Sequence, residues 1–432
     1  MAAYIIIIFA LLLLIYNPYK ACILLYSLVI ANINIETGID GFNFRSLFTI
    51  AVIIRLIGMS LINKDLLLRL ISNKYIISIF LIRFYFFLTT SLNGLYSFEN
   101  LKWILLDYLL ILITFCLFDK NKSINIIISI LIAGLICFTD LVYTYLFFDG
   151  FPVRRLISAV LGENIATNHN FFGYICGVSL IIVLQFWELF RKQKFYYYAL
   201  LILAIIYITG IIISTSRSAL LGILVIFVFF VLNSSANKTF LKSFFKIGIS
   251  ILIILPFVSS IFISRLDDNI ITKLKNRIID EPVAMYEKHT GGNYNEEDLD
   301  SGEWRKESSG NAIENYEKLN LIEKFIGIGR GGYLKRNLGD GLSTHNGYLL
   351  ILMEYGALGL IFYVTFLIFL VISAFKYRFY APYYLILVYI LFYSLPQNEE
   401  LIGTLMTIII ISNIYVICQF KSKQPNYYIS NT

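Results

Sequence analysis

The sequence is poor in charged residues. Only 15% of its 432 residues are charged, whereas 58% are hydrophobic and the mean hydropathy is +0.76. Ordinary soluble domains carry about 25% charged residues. A water-soluble fold has too little interior to bury so much apolar surface, so this composition excludes a string of soluble domains and predicts an integral membrane protein.

Cysteine is also scarce, and its spacing matches neither a metal site nor a disulfide framework. All five cysteines fall in apolar segments, which predicts buried, inert thiols: Cys22, Cys116, Cys137, Cys176 and Cys418. We therefore expect no cysteine-bound metal. We also expect no cofactor. A basic start and a convincing cleavage site are lacking in Met1–Tyr16, so we interpret that stretch as a first membrane segment.

Long apolar runs fill most of the chain. A transmembrane helix needs about 20 apolar residues, and the runs predict an all-α polytopic membrane protein with 12 or 13 such helices. The first two runs are short, so either both are tilted spans or one of them only dips into the bilayer. The runs are Ala2–Tyr16, Ala21–Ile33, Phe44–Ile62, Tyr75–Thr90, Leu101–Leu117, Ile124–Phe148, Phe171–Trp187, Tyr196–Ile213, Ala219–Leu232, Phe245–Phe262, Tyr348–Ala374, Pro382–Leu395 and Leu401–Gln419.

Lys and Arg cluster in alternate short loops, which predicts the orientation of the helices. The net charge of +7 reflects these clusters, so it does not indicate a nucleic-acid partner. With the basic loops on the cytoplasmic side, the one long hydrophilic segment faces outward. We divide the chain into membrane helices over residues 1–263, a large outer loop over 264–344, and C-terminal membrane helices over 345–432.

The outer loop contains several distinct patterns. Asp267–Glu281 is compatible with a short amphipathic helix, and Glu287–Ser309, rich in Gly, Asn, Glu and Asp, is expected to be mobile. Apolar residues at helical spacing predict a helix over Ala312–Phe325. Gly327–Gly332 lacks the Lys-Ser/Thr of a nucleotide-binding loop. It predicts a flexible turn in which Arg330 is a candidate anion contact.

The loop ends in Ser343-Thr344-His345-Asn346-Gly347-Tyr348, where a hydrophilic segment meets a membrane helix. The chain has only three histidines, and all are predicted on the outer side: His169, His289 and His345. An imidazole with a pKa of about 6.5 suits proton abstraction near neutral pH. His345 is therefore either a general base or an interfacial residue at a helix start that Thr344 or Asn346 caps.

Two further polar stretches begin membrane helices on the same predicted face. Arg217 lies in Ser214-Thr215-Ser216-Arg217-Ser218, where its guanidinium and the helix amides can bind a phosphate. The alternative is an arginine that reaches toward lipid headgroups. His169 and Asn170 could bind sugar hydroxyls, although a helix cap explains them equally well.

Ionisable residues inside predicted spans include Arg83, Asp107 and Asp140. Such residues are costly in a bilayer and are often functional. A proton-coupled transporter would use them. An ion pair of Arg83 with Asp107 or Asp140 is the structural alternative.

Four of these stretches together resemble the O-antigen polymerase and O-antigen ligase superfamily of bacterial inner-membrane glycosyltransferases. They are Gly162–Gly173, Ser214–Ala219, Phe325–Tyr333 (Phe-Ile-Gly-Ile-Gly-Arg-Gly-Gly-Tyr) and Thr344–Gly359 (Thr-His-Asn-Gly-Tyr-Leu, then Glu-Tyr-Gly-Ala-Leu-Gly). The resemblance covers about residues 160–375. The helix count and the position of the large loop match as well.

The resemblance implies a metal-independent, inverting transfer of a glycan from a polyprenyl-pyrophosphate donor to a sugar hydroxyl, at the periplasmic face. Arg217 matches a family arginine that binds pyrophosphate, and His345 matches the loop histidine. The family's Ser-Gly-Arg is replaced by Ser301-Gly302-Glu303 or Ser309-Gly310-Asn311. Arg265, Arg305 or Arg330 is therefore the candidate second arginine. Sugar contacts are expected from residues near the site: Asn346, Tyr348, Tyr333, His169 and Asn170.

Three functions remain open. The first is a polymerase that joins lipid-linked repeat units, with the bilayer and a chain-length regulator as partners. The second is a ligase that transfers the polymer to lipid A-core. The third, of a different class, is a multi-helix transporter or flippase, which predicts matched helix breaks in two halves of the chain.

Overall fold

A computed structural model gives the architecture. It describes residues 2–33, 36–39, 42–60, 74–95, 105, 109, 124–148, 153–156, 166–167, 169–190, 194–214, 216–233, 280–290, 300–338, 344, 346–375 and 384–393. Over these ranges the chain is almost entirely helical, which confirms the predicted all-α class.

Fourteen helices lie within the described residues. In chain order they are α1 Ala2–Tyr16, α2 Pro18–Ile30, α3 Phe44–Ser60, α4 Lys74–Leu92, α5 Ile124–Phe147, α6 His169–Phe190, α7 Lys194–Ile213, α8 Arg217–Asn233, α9 Glu281–Thr290, α10 Asp300–Lys318, α11 Leu321–Ile326, α12 Gly332–Lys335, α13 Gly347–Phe375 and α14 Tyr384–Tyr393. Two small antiparallel pairs accompany them, β1 Glu36–Ile39 with β2 Phe42–Asn43 and β3 Val153–Arg154 with β4 Ala166–Thr167.

The predicted apolar runs correspond closely to helices. Ten of the thirteen coincide with α1–α8, α13 and α14, and their ends agree to within about three residues. The runs Leu101–Leu117, Phe245–Phe262 and Leu401–Gln419 lie outside the described residues. Within the described residues, three helical segments are long and apolar enough to cross a bilayer: Ile127–Phe147, Lys194–Ile213 and Gly347–Phe375.

Local signals explain where neighbouring helices separate. Pro18 can begin a helix but not continue one, and the Asn17 side chain caps α2 by accepting from the Lys20 amide at 3.1 Å. Asn43 caps α3 in the same way, accepting from the Ser46 amide at 2.9 Å. The helices α1 and α2 are separated by Asn17 alone, and they correspond to the two short N-terminal segments that were predicted.

The chain divides into two compact units, one formed by Met1–Ile130 with Ser308–Thr432 and the other by Leu131–Glu307. In the first unit, α13 packs against α4, α11 and α14. Its core includes the ring of Phe86 in α4 stacked on that of Tyr355 in α13, with centroids 3.7 Å apart. Tyr348 ties α13 to α14 by donating to the Leu391 carbonyl at 2.7 Å.

In the second unit, α6 packs against α7 and α8. Small residues allow this close approach. A Cβ atom at Gly134 of α5 would lie 2.7 Å from the ring of Tyr207 in α7, and one at Gly210 of α7 would lie 2.8 Å from Sγ of Cys176 in α6. The Tyr207 hydroxyl donates to the Leu131 carbonyl at 2.7 Å, so α5 and α7 are joined inside the unit.

The outer loop differs from its prediction. The predicted helix Ala312–Phe325 is two helices, α10 and α11, and α10 begins at Asp300. The expectation of a mobile segment over Glu287–Ser309 is therefore wrong from Asp300 onward. The break falls at Asn320, which forms a reciprocal capping box with Glu323. The amphipathic helix predicted over Asp267–Glu281 lies almost wholly outside the described residues.

Candidate functional site

Arg217 is the first residue of α8 and is half-buried. Buried serines build the turn before it. Ser214 donates to the Ile211 carbonyl at 2.7 Å, and Ser216 caps α8 by accepting from the Ala219 amide at 3.3 Å. The hydroxyls that flank Arg217 in the sequence therefore shape the helix start, which leaves the arginine as the charged group at that end of α8.

The beginning of α6 lies at the same end of this unit. Gly173, one turn into α6, packs so closely on the serine turn that a Cβ atom there would lie 2.9 Å from Cβ of Ser216 and 3.2 Å from Cβ of Ala219. His169 and Asn170 begin α6, about one turn before this contact. The structure thus brings the predicted His169, Asn170 and Arg217 to one end of a helix bundle.

An ion pair stabilises the same end. Nη1 of Arg155 lies 2.9 Å from Oδ2 of Asp140, and both side chains are buried. Arg155 also lies over the ring of Phe172, 4.6 Å from its centroid. Asp140 is therefore a structural acid whose partner is Arg155, not the predicted Arg83, and Asp107 lies outside the described residues.

In the first unit, the glycine-rich turn Gly327–Gly332 lies against a break in α13. Gly356 has φ +68° and ψ −178°, which interrupts the helix. A break of this kind frees carbonyl groups in the preceding turn. Those of Met353 and Glu354 accept from the amides of Ile328 at 3.1 Å and Gly329 at 2.8 Å.

The turn and the break fit each other through two glycines. A Cβ atom at Gly327 would overlap the carbonyl group of Glu354, and one at Gly356 would overlap the carbonyl group of Phe325. Tyr85 of α4 bridges the two segments, because its hydroxyl lies 3.0 Å from the Tyr355 carbonyl and 3.2 Å from the Ile326 carbonyl. Close backbone packing and the Tyr85 hydroxyl thereby hold the glycine-rich turn against α13.

Every amide of the turn has an acceptor within the protein. Besides Ile328 and Gly329, the Arg330 amide donates to Oγ1 of Thr90 at 3.0 Å and the Gly331 amide to Oε1 of Glu354 at 2.6 Å. The amides of Gly327 and Gly332 donate to the carbonyls of Glu323 at 2.7 Å and Gly329 at 2.9 Å. The predicted flexible turn is therefore a fixed one, and its amides are already engaged and do not bind phosphate.

The Arg330 side chain remains the candidate anion contact of this turn. It is half-buried, and its charge acts on the Glu354 carboxyl group. Among the described residues, no hydrogen bond or ion pair involves its guanidinium. Sequence reasoning identified Arg330 but missed Glu354. The available signal was an isolated acid inside an apolar span, in Leu-Met-Glu-Tyr-Gly.

The start of α13 is capped by Asn346, one of the two predicted capping residues. Its Oδ1 accepts from the amides of Tyr348 at 3.0 Å and Leu349 at 3.2 Å. The Thr344 hydroxyl donates to the Asn346 carbonyl at 2.9 Å. Asn346 and the Tyr348 hydroxyl therefore have structural partners, and the predicted sugar contacts at these two residues stay predictions.

Several predicted site residues have no side-chain description. His345 lies outside the described residues, between Thr344 and Asn346, directly before α13. Arg265 is also outside them. For Arg305 the structure describes only the backbone, which lies in α10.

The described cysteines Cys22, Cys137 and Cys176 are buried and form no disulfide bond, which confirms the predicted burial of these three. Cys116 and Cys418 lie outside the described residues. In the part of the chain that the structure describes, no group of three or more His, Cys, Asp or Glu residues forms a candidate metal site.

Comparison with protein families identifies one domain. Residues 199–364 match the family model described as O-Antigen ligase. This confirms the predicted resemblance to the O-antigen polymerase and ligase superfamily over the segment from α7 to α13. No match is found among curated proteins.

Proposed function

We propose, from the O-antigen ligase family domain in residues 199–364, that this protein is a polyprenyl-pyrophosphate-dependent glycosyltransferase of the bacterial inner membrane. Its reaction is the polymerisation of lipid-linked repeat units of a surface polysaccharide. The active site faces the periplasm. The observation that carries this proposal is that one family domain contains Arg217, Arg330 and His345.

Arg217 would bind the pyrophosphate of the donor. Its position at the first turn of α8 adds backbone amides and the positive end of the helix dipole to a guanidinium that can grip phosphate with two hydrogen bonds. Departure of the pyrophosphate builds negative charge on its oxygen atoms. Fixed cations lower the energy of that transition state most effectively where water is scarce.

Arg330 is our candidate for the second cation. Of the three arginines considered, it is the one whose backbone and side chain the structure describes. All the amides of its turn are engaged by protein acceptors, so the turn presents a cation at a fixed point of the backbone. A rigid cation loses little entropy on binding and favours a transition state over a flexible ground state.

His345 would remove the proton from the acceptor hydroxyl. The hydroxyl oxygen attacks the anomeric carbon, a new glycosidic bond forms with inversion, and the bond from that carbon to the pyrophosphate oxygen breaks. The proton passes to the imidazole, and the electron pair leaves with the polyprenyl pyrophosphate. No metal or cofactor is needed for this balance.

A ligase is the second candidate, because the matching family model is described as O-Antigen ligase. A gene deletion separates the two functions. Loss of a polymerase leaves core capped with a single repeat unit, whereas loss of a ligase leaves bare core and accumulated lipid-linked polymer. A glycan gel of the deletion strain beside its complemented strain shows which pattern occurs. Unchanged long-chain polysaccharide would contradict both.

A further inference from the structure

Glu354 is an acid inside the apolar helix α13, and only 5% of its surface is exposed. A buried carboxyl group is costly unless hydrogen bonds satisfy it. Here Oε1 accepts from the Gly331 amide at 2.6 Å, and the backbone carbonyl accepts from the Gly329 amide at 2.8 Å. The two amides flank Arg330, so one residue of α13 holds the turn on both sides of the arginine.

The backbone at Gly329 and the backbone at Gly331 are held by different contacts. Gly329 packs tightly, since a Cβ atom there would lie 2.9 Å from both Leu95 and Thr90. A Cβ atom at Gly331 would meet no atom within 4 Å, and Gly331 has φ +73°. Glycine at such a position has many accessible conformations. The backbone at Gly331 is therefore fixed by hydrogen bonds, one from its amide to Glu354 and one from the Lys335 amide to its carbonyl. Of these two, the bond to Glu354 is the one that reaches α13.

We infer that Glu354 is a positioning residue for the transfer reaction, which holds the backbone of the turn so that Arg330 meets the donor pyrophosphate. This inference rests on the proposed function, and on the proposed role of Arg330 in particular. Glu354 acts as a hydrogen-bond acceptor and not as an acid or base. Through it, the bilayer-spanning helix α13 sets the position of a loop cation.

Three substitutions at Glu354 distinguish a hydrogen-bond acceptor from an acid or base. Glu354→Gln keeps a carbonyl oxygen at the same distance from the backbone. Glu354→Asp withdraws the oxygen by one methylene, about 1.5 Å, and Glu354→Leu removes it. The full-length protein is reconstituted with a synthetic polyprenyl-pyrophosphate repeat unit, and kcat and KM for the donor are measured. Hydrogen exchange of the peptide containing 327–332 is measured in parallel.

The glutamine variant is expected to stay within about threefold of the parent in KM. The aspartate and leucine variants should raise KM about tenfold or more, the effect of one lost hydrogen bond to a charged group. Exchange over 327–332 should speed up in those two variants, whereas that over 357–375 stays unchanged. The exposed acid Glu314 supplies the matched control, because Glu314→Gln and Glu314→Leu should alter neither measurement.

Two results overturn the inference. One is a glutamine variant as impaired as the leucine variant with unchanged exchange, which would make the carboxyl group a chemical participant. The other is an aspartate variant with parental KM and exchange. If the leucine variant fails to fold, the glutamine and aspartate variants still test whether Glu354 positions the turn. Arg330→Ala, assayed beside them, tests the proposed function separately: a parental KM removes Arg330 from the donor site, while the exchange data still report the hold of Glu354.

Discussion

The guanidinium of Arg155 lies 2.9 Å from the carboxylate of Asp140, and neither side chain is exposed by more than 3%. The same carboxylate accepts from the Leu156 amide through Oδ1, also at 2.9 Å. A single acid in α5 thus satisfies a charge and a backbone donor in the two residues that directly follow β3. This pair joins a membrane helix to the connection preceding His169 and Asn170.

Removal of Asp140 alone should destabilise the protein strongly. Asp140→Leu leaves the Arg155 charge buried without its counter-ion, at a cost of about 3–5 kcal/mol. The double variant Asp140→Leu/Arg155→Met removes both charges and should recover most of that loss. The measurement is the thermal unfolding temperature of purified protein in detergent. A double variant no more stable than the single one would contradict this account of the pair.

Replacement of Arg217 should abolish long-chain polysaccharide while the protein remains in the membrane at its normal level. Arg217→Ala loses the phosphate contact, and Arg217→Lys keeps the charge but not the fork, so it should retain a small part of the activity. Lys318→Ala is a suitable control, because Lys318 is an exposed cation of α10. Full-length polymer from Arg217→Ala would remove this residue from the site.

Replacement of His345 should have the same outcome for a different reason. His345→Ala removes the proposed base, so polymer should disappear although the donor still binds. We expect a loss of about 10²–10⁴-fold in kcat with little change in the donor KM. His289→Ala, another outer-loop histidine, provides the comparison and should behave as the parent. A parental kcat for His345→Ala would exclude the base.

Alanine at Gly327 or Gly356 should destabilise the first unit. Each Cβ atom would overlap a carbonyl group of the opposite segment, and each glycine has a positive φ. We expect a loss of about 2–4 kcal/mol for either change. Gly310 lies in α10 with open space around it, so Gly310→Ala should stabilise by about 0.5–1 kcal/mol. Thermal unfolding compares the three variants, and equal unfolding temperatures would contradict the close fit.

The membrane helices were predictable because the bilayer fixes their length. Helix ends were less predictable, since α6 begins at His169 and α8 at Arg217, each two residues before its apolar run. At α8 the cap is the polar residue Ser216. The start of α10 was missed for a related reason. Its first residues, from Asp300 to Gly310, are polar and include two glycines, a composition that favours a loop over a helix. Hydrophobic periodicity therefore could not reveal where α10 begins.

The candidate site was predictable as a set of residue types but not as a set of contacts. Arg217, His169 and Asn170 lie at one end of the same bundle because α6 and α8 are packed at Gly173, which local patterns indicate only weakly. The rigidity of the glycine-rich turn was not predictable, because its acceptors come from Thr90 and Glu354 on two distant helices. The partner of Asp140 is Arg155, which lies 15 residues away and outside the helices. Pairing ionisable residues within the predicted spans therefore could not identify it.

The break at Gly356 divides α13 into pieces of unequal length. The piece from residue 357 to 375 has 19 residues, which at 1.5 Å each extends about 28 Å and matches the hydrocarbon thickness by itself. The first nine residues, 347–355, are thus surplus to the crossing. They are hydrogen-bonded to the glycine-rich turn, and a displacement of that turn would carry them along while residues 357–375 keep their depth in the lipid.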